Sequence, residues 1–168
     1  LIVVPTPSDS NGTFSNEIVL AACETIGLSL ATKQTFHLVV VISTVMPGSI
    51  GGEIQSQLEK VSGKRCGTDF GLCYAPTFVA LGSVVRDFLN PDVLLIGESD
   101  DRSGQLLEEL YKDVCENDPK AIHMNFMNAE VTKLATNTFV STKITFGNML
   151  SQICEQLPEA HVDVVTTA

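Results

Sequence analysis

Short unbroken apolar runs alternate along the chain with longer stretches in which apolar residues recur every three or four positions. Phe36–Ser43 (FHLVVVIS) is a continuous β-branched run, the mark of a strand covered on both faces. Phe70–Ala75 (FGLCYA), Asp92–Gly97 (DVLLIG) and Ala121–Phe126 (AIHMNF) read as further strands. Leu1–Val4 reads as a short strand stopped by Pro5 and Pro7. Between these runs, Asn16–Ala31 has roughly helical spacing. A second helix opens at Gly48 and carries Ile50, Ile54, Leu58 and Val61 on one side. Gly82–Leu89 reads as a short helix ended by Asn90-Pro91. Arg102–Glu116 places Leu106, Leu107, Leu110, Tyr111 and Val114 along one stripe. Strands alternating with helices of this length predict an α/β fold with a mostly parallel sheet.

The pattern changes at Asn128. From there it stays helical to Leu157, where Pro158 stops it. Asn128 is the expected N-cap, and Glu130 falls in the expected first turn, where its charge suits the helix dipole. Thirty residues at 1.5 Å each make ~45 Å, longer than a small domain is wide. Such a helix is expected to cross into a second domain or a partner subunit. Val131, Thr132, Thr136, Val140 and Ile144 lower its intrinsic propensity, so packing must hold it. Its apolar rows, among them Phe146, Met149, Leu150, Ile153 and Leu157, predict a homodimer through the helix. The expected division is residues 1–127 and 128–168.

Composition narrows the class. The chain has 168 residues, 44% hydrophobic and 18% charged, which suits one globular domain rather than a disordered segment. A net charge of −10 argues against nucleic acid and anionic membranes, because neutralising phosphate needs clustered Lys and Arg. No uninterrupted apolar run, Leu38–Ile42 included, approaches the ~20 residues a bilayer requires. The start LIVVPTP lacks a basic region and reads as a buried strand, not a leader. Five cysteines at irregular spacing, without a C-x-x-C or zinc pattern, read as reduced thiols of a cytoplasmic protein. No G-x-G-x-x-G occurs. The one Gly-rich loop, Pro47–Gly52, lacks the lysine and spacing of a phosphate cradle and reads as the start of a helix.

Lys133 and Asn137 are the strongest chemical pair. Four residues apart in a helix, they share one face. An ammonium and an amide aimed at one point can hold a developing oxyanion or a sugar hydroxyl. The bland alternative for Lys133 is a solvated helix lysine. His37, His123 and His161 match no such pattern, and His37 and His123 are expected to be structural.

Four blocks of sequence point further. Val4-Pro5-Thr6-Pro7 forms a strand end and T-P turn. Val41-Ile42-Ser43-Thr44-Val45-Met46-Pro47-Gly48 reads S-T-V-x-P-G. Tyr74-Ala75-Pro76 is followed by Phe78, Gly82, Asp87-Phe88 and Asn90-Pro91-Asp92. Ala129-Glu130 leads into Lys133-Leu134-Ala135-Thr136-Asn137-Thr138 and Lys143-Ile144-Thr145-Phe146. In order and spacing, together spanning nearly the whole chain, these blocks resemble the nucleotide-sugar 6-dehydrogenases, the UDP-glucose/GDP-mannose dehydrogenase family. The resemblance implies a partial Rossmann-like, mostly parallel sheet that ends an NAD-binding domain, followed by the long helix of a central dimerisation domain. It implies NAD as cofactor and a UDP- or GDP-sugar as substrate. The C6 alcohol would be oxidised to a carboxylate in two hydride transfers, by way of a thioester on a cysteine. Val4, Pro5, Thr6, Pro7, Ser43 and Thr44 would then lie along the dinucleotide. Thr44 would also position the catalytic water, Lys133 would stabilise the oxyanion, and Asn137 would bind the reacting end of the sugar.

The same resemblance shows what departs. The G-x-G-x-x-G turn is expected before Leu1, and the domain carrying the nucleophilic cysteine beyond Ala168. None of the five cysteines matches that nucleophile's motif. Thr77 stands where the family has a glutamate that takes part in thioester hydrolysis, and Leu81 stands at a second acidic position. A threonine is no carboxylate base at neutral pH and a leucine does no proton chemistry, so thioester hydrolysis would need a group other than these two. With half the cofactor site expected before Leu1, the chain alone is expected neither to bind NAD tightly nor to turn over. Three readings stay open at this level: part of a nucleotide-sugar dehydrogenase, a catalytically incomplete homologue serving as a dimerising module, and a related NAD enzyme acting on small β-hydroxyacids.

Overall fold

A computed structural model describes residues 1–80 and 82–167. The chain resolves into two compact units, Leu1–Val131 and Thr132–Ala168.

The first unit is built on a four-stranded sheet in the order β1 (His37–Val41), β2 (Phe70–Tyr74), β3 (Val93–Glu98), β4 (Lys120–Met124). β1 pairs with β2 in parallel, from His37 opposite Phe70 to Val41 opposite Tyr74. β3 pairs with β4 in parallel, from Val93 opposite Lys120 to Gly97 opposite Met124. The β2–β3 pairing is antiparallel, with Cys73 opposite Glu98. The sheet is therefore mostly parallel, as the alternation predicts. On the far side of β1 the expected first strand shrinks to one bridge. Ile2 N–H donates to the Val40 carbonyl at 2.7 Å and Ile42 N–H to the Ile2 carbonyl at 2.9 Å. Pro5 and Pro7 supply no N–H with which to extend it.

Alternate strand residues feed two cores. Val39, Val41, Phe70, Leu72, Tyr74 and Leu95 face α1 (Glu17–Thr32) and α2 (Gln55–Ser62). Val40, Cys73, Leu94 and Ile96 face α4 (Asp101–Val114), meeting its Leu107 and Tyr111. A short α3 (Val84–Leu89) lies in the β2–β3 connection. Coverage on both faces explains why β2 and β3 are apolar runs, whereas β4 is largely exposed. Gly27 of α1 lies so close to α2 that an added Cβ would stand 2.8 Å from Val61 Cβ. Asp100 caps α4 by accepting from Ser103 N–H at 3.0 Å.

Two expectations change at the start of the long helix, α5 (Phe126–Cys154). It opens two residues before Asn128, so Asn128 is not its N-cap. Asn125 takes that role, its side chain accepting from Asn128 N–H at 2.9 Å. An Asn in either position satisfies the pattern, and only the backbone decides between them. Glu130 does not serve the α5 dipole either, since no acidic residue lies in that first turn.

The second unit holds the remainder of α5 and a further helix, α6 (Val162–Thr167), which the periodicity does not predict. α5 ends at Cys154 rather than Leu157, and the next residues close single turns ahead of Pro158. No described helix is long and apolar enough to cross a membrane.

Candidate functional site

In open α/β sheets, ligands bind outside the carboxyl ends of the strands. Here that end of β1 carries Ser43 and Thr44, and the neighbouring Ile2 segment runs into Val4–Pro7. The sequence keeps these segments irregular, because Pro5, Pro7 and Pro47 interrupt any ladder. Side chains then replace the missing backbone pairing. Val4 N–H donates to Ser43 Oγ at 2.8 Å, and the Ser43 hydroxyl donates to the Val4 carbonyl at 2.7 Å. Thr6 Oγ1 donates to the Thr44 carbonyl at 2.8 Å. The structure thus brings together Val4, Thr6, Ser43 and Thr44. Ser43 is buried, Val4, Thr6 and Thr44 are half-buried, and Pro5 and Pro7 are exposed.

Beyond Thr44 the chain is tied at two more places. The Glu130 carboxylate accepts from Gly48 N–H at 2.7 Å and from Ile50 N–H at 2.8 Å. It is fully buried. Asn16 Nδ2 donates to Ser49 Oγ at 2.9 Å and also to Glu53. Ile54 N–H reaches the Ser49 carbonyl at 3.1 Å, so the turn leading into α2 is wider than an α-helical one. Pro47–Gly52 is therefore the start of a helix, as the motif implies, and the protein's own carboxylate fills the anion-binding amides. Sequence reasoning misses this role of Glu130. The Ala129-Glu130 pair is its only signal, and the partners lie 80 and 82 residues away.

The second unit carries Lys133 and Asn137 one turn apart on α5. Lys133 is 7% exposed, against the solvated alternative, and burial holds its ammonium below the ordinary lysine range. Asn137 is exposed, and its carbonyl accepts from the Ser141 hydroxyl at 3.0 Å.

Thr77 lies in the first unit and lines a small, mostly apolar pocket with Phe78, Phe88, Leu94 and Tyr111. Leu81 lies outside the described residues. All five cysteines are free, and burial raises the thiol pKa of Cys23 to about 11 and of Cys73 to about 12. Neither is an activated nucleophile. His123 is structural, as expected, lying 2.6 Å from Glu98 and 3.0 Å from Glu108. Among the described residues no group of His, Cys, Asp and Glu could hold a metal ion.

The exposed prolines offer an apolar rim without N–H donors. The helix start that could receive a phosphate is already filled by Glu130.

Comparison with known proteins gives the family. Residues 1–115 match the NAD binding domain of the UDP-glucose/GDP-mannose dehydrogenase family, and residues 127–168 match the central domain of the same family. The chain is 36% identical over 155 residues to the GDP-mannose 6-dehydrogenase of Pseudomonas syringae pv. tomato, covering 92% of this chain and 35% of that relative. It is 34% identical over 156 residues to a UDP-glucose 6-dehydrogenase of Haloferax volcanii, covering 92% and 36%. Among solved structures it superposes on a ternary complex of GDP-mannose dehydrogenase from Pseudomonas aeruginosa with a TM-score of 0.91 and 32% identity, covering 98% of this chain and 37% of that one. A UDP-glucose dehydrogenase from Pyrobaculum islandicum gives a TM-score of 0.80 and 34% identity, covering 89% and 33%. The chain spans about a third of the length of these relatives.

Proposed function

The chain belongs to the UDP-glucose/GDP-mannose dehydrogenase family, and from that premise we propose that it forms part of an NAD-dependent nucleotide-sugar 6-dehydrogenase. In this reading residues 1–127 are part of the NAD-binding domain and residues 128–168 begin the central domain. The substrate is a UDP- or GDP-sugar, oxidised at C6 to the uronate in two steps. The observation that carries the reading is the paired clamp at the end of β1, in which Val4–Ser43 and Thr6–Thr44 hold two family motifs side by side.

NAD, when bound, supplies the hydride acceptor. The remaining work falls to the chain's own groups. Val4–Pro7 and Ser43 line the cofactor's flank. Ser43 spends its one proton on Val4 and so orders the rim, with an acceptor lone pair left over. Thr44 keeps its hydroxyl for a water, because it is the Thr44 carbonyl that Thr6 engages. Lys133 stabilises negative charge developing on the C6 oxygen, and its burial strengthens that effect. Asn137 binds the reacting end of the sugar. A cytoplasmic location accompanies this reading, as does a homodimer formed through α5.

The test is reduction of NAD, followed by absorbance, in the polypeptide expressed from the complete gene. UDP-glucose and GDP-mannose are offered alongside the free sugars. Turnover with a nucleotide sugar and not with the free sugars is the expected result. Failure with a panel of UDP- and GDP-sugars, under conditions where a relative turns over, overturns the reading.

A further inference from the structure

Between Val41 and Ile50 the chain has no regular secondary structure, yet it carries Ser43 and Thr44. Thr6 fixes its first part through the Thr44 carbonyl. Its second part turns at Gly48, whose φ of +91° is one that residues with a Cβ rarely adopt. Directly after that turn the amides of Gly48 and Ile50 converge on one point, and the Glu130 carboxylate occupies it with one oxygen for each N–H. Glu130 has no exposed surface. Its neighbours bring it there by close packing. A Cβ on Gly51 would lie 3.3 Å from the Phe126 ring, and a Cβ on Gly97 only 2.8 Å from Ala129. Tyr74 is buried beside the carboxylate, and burial first, then the Glu130 charge, keeps that phenol protonated.

We propose that Glu130 is a positioning residue: by binding the Gly48 and Ile50 amides in a bidentate grip, it fixes the segment that carries Thr44. A carboxylate suits this task where a neutral side chain does not. It accepts twice in one plane, and it meets the positive end of the helix that follows. An amide can accept from only one of the two N–H groups and turns its own NH2 toward the other. The grip also closes these amides to any phosphate, so the helix start serves order and not ligand binding. Glu130 itself touches no reacting group. Its consequence for catalysis rests on the role proposed above for Thr44, whereas the grip does not.

The test compares wild type with Glu130→Gln by amide hydrogen exchange, with the Thr44 methyl resonance as a second readout. Exchange at Gly48 and Ile50 is expected to accelerate at least about ten-fold, while Val40 and Leu72 in the sheet keep their rates. The Thr44 methyl is expected to shift or broaden. In the active polypeptide kcat is expected to fall at least about ten-fold, with KM for the nucleotide sugar within about three-fold. If Glu130→Gln does not fold, Glu130→Asp keeps the charge one methylene short and is expected to show the same local acceleration. Unchanged exchange at Gly48 and Ile50, uniform acceleration of all amides, or an unmoved Thr44 methyl would each overturn the proposal. A wild type that binds no nucleotide sugar overturns the functional reading instead, and the exchange result still decides the grip.

Discussion

Ser43 and Val4 hold each other twice, the Val4 amide donating to the Ser43 hydroxyl at 2.8 Å and that hydroxyl donating back to the Val4 carbonyl at 2.7 Å. This mimics one rung of a sheet where Pro5 has ended the backbone ladder. Ser43→Ala leaves both Val4 groups without that partner in a half-buried setting, at a cost of roughly 1–3 kcal/mol. Urea denaturation of the variant is expected to show a lower midpoint with an unchanged slope. A midpoint equal to wild type would mean that water replaces the hydroxyl at no cost.

Gly27 and Gly147 should respond in opposite directions to the same change. Both lie inside helices, where Ala is favoured over Gly by about 1 kcal/mol. At Gly27 the new methyl meets Val61 at 2.8 Å, and overpacking costs about 1–3 kcal/mol, so Gly27→Ala is expected to destabilise. At Gly147 nothing lies within 4 Å, so Gly147→Ala is expected to stabilise by up to about 1 kcal/mol. Thermal unfolding of the two variants side by side settles the sign at each position.

His123 gives the first unit a pH-dependent link between β4, β3 and α4. Its hydrogen bond to Glu98, supported by Glu108, raises its pKa above the ordinary 6.5, against a smaller opposing effect of burial. A raised folded value means that the stabilisation is fully present below about 6.5 and is lost as pH rises through the folded pKa. Glu108 behaves oppositely. Lys112 first, then His123, lower its pKa, so its contribution fades as pH falls through its folded value. The stability difference between wild type and His123→Gln should therefore be largest in mildly acidic buffer and shrink on the alkaline side. A difference that grows with pH would reverse the assignment.

Much of this was legible because burial on both faces writes a strand as an unbroken apolar run, and β1, β2 and β3 all carry one. Strand direction was not, since an apolar run such as Val93–Ile96 reads the same either way and only the register shows β3 antiparallel to β2. The Val4–Pro7 and Ser43–Thr44 motifs were found as separate blocks, and the hydrogen bonds joining them could not be read from either. Glu130 was misjudged for the same reason. Local rules assign an acidic residue near a helix start to its own helix, and this one serves amides 80 and 82 residues earlier. Asn125 and Asn128 compete for one cap, and a backbone difference of three residues falls within the blur of any sequence rule.

The second unit exposes Phe139, Val140, Ile144, Phe146 and Met149 along α5. Bulky apolar side chains repeated on a helix are costly in water at roughly 25 cal/mol per Å². A second copy of the chain is the proposed cover. Light scattering at tens of micromolar is expected to give a dimer, and Ile144→Glu with Phe146→Glu is expected to give a monomer. A wild-type monomer at that concentration would count against the arrangement.

Lys133 separates activity from stability. Burial lowers its pKa from 10.5, so folding disfavours its charged form. With the folded value below the unfolded one, the unfolded chain binds more protons between the two, and stability rises with pH across that window. Lys133→Met removes the titration, and its stability curve is expected to lack this alkaline rise. Turnover should behave differently. If the ammonium stabilises charge on the C6 oxygen, its loss is expected to cost about 10²–10³ in kcat at neutral pH. Lys133→Arg keeps the charge but moves and spreads it, so it is expected to restore little of that loss. A Lys133→Met enzyme that retains wild-type kcat would remove Lys133 from the chemistry and leave it a buried structural cation.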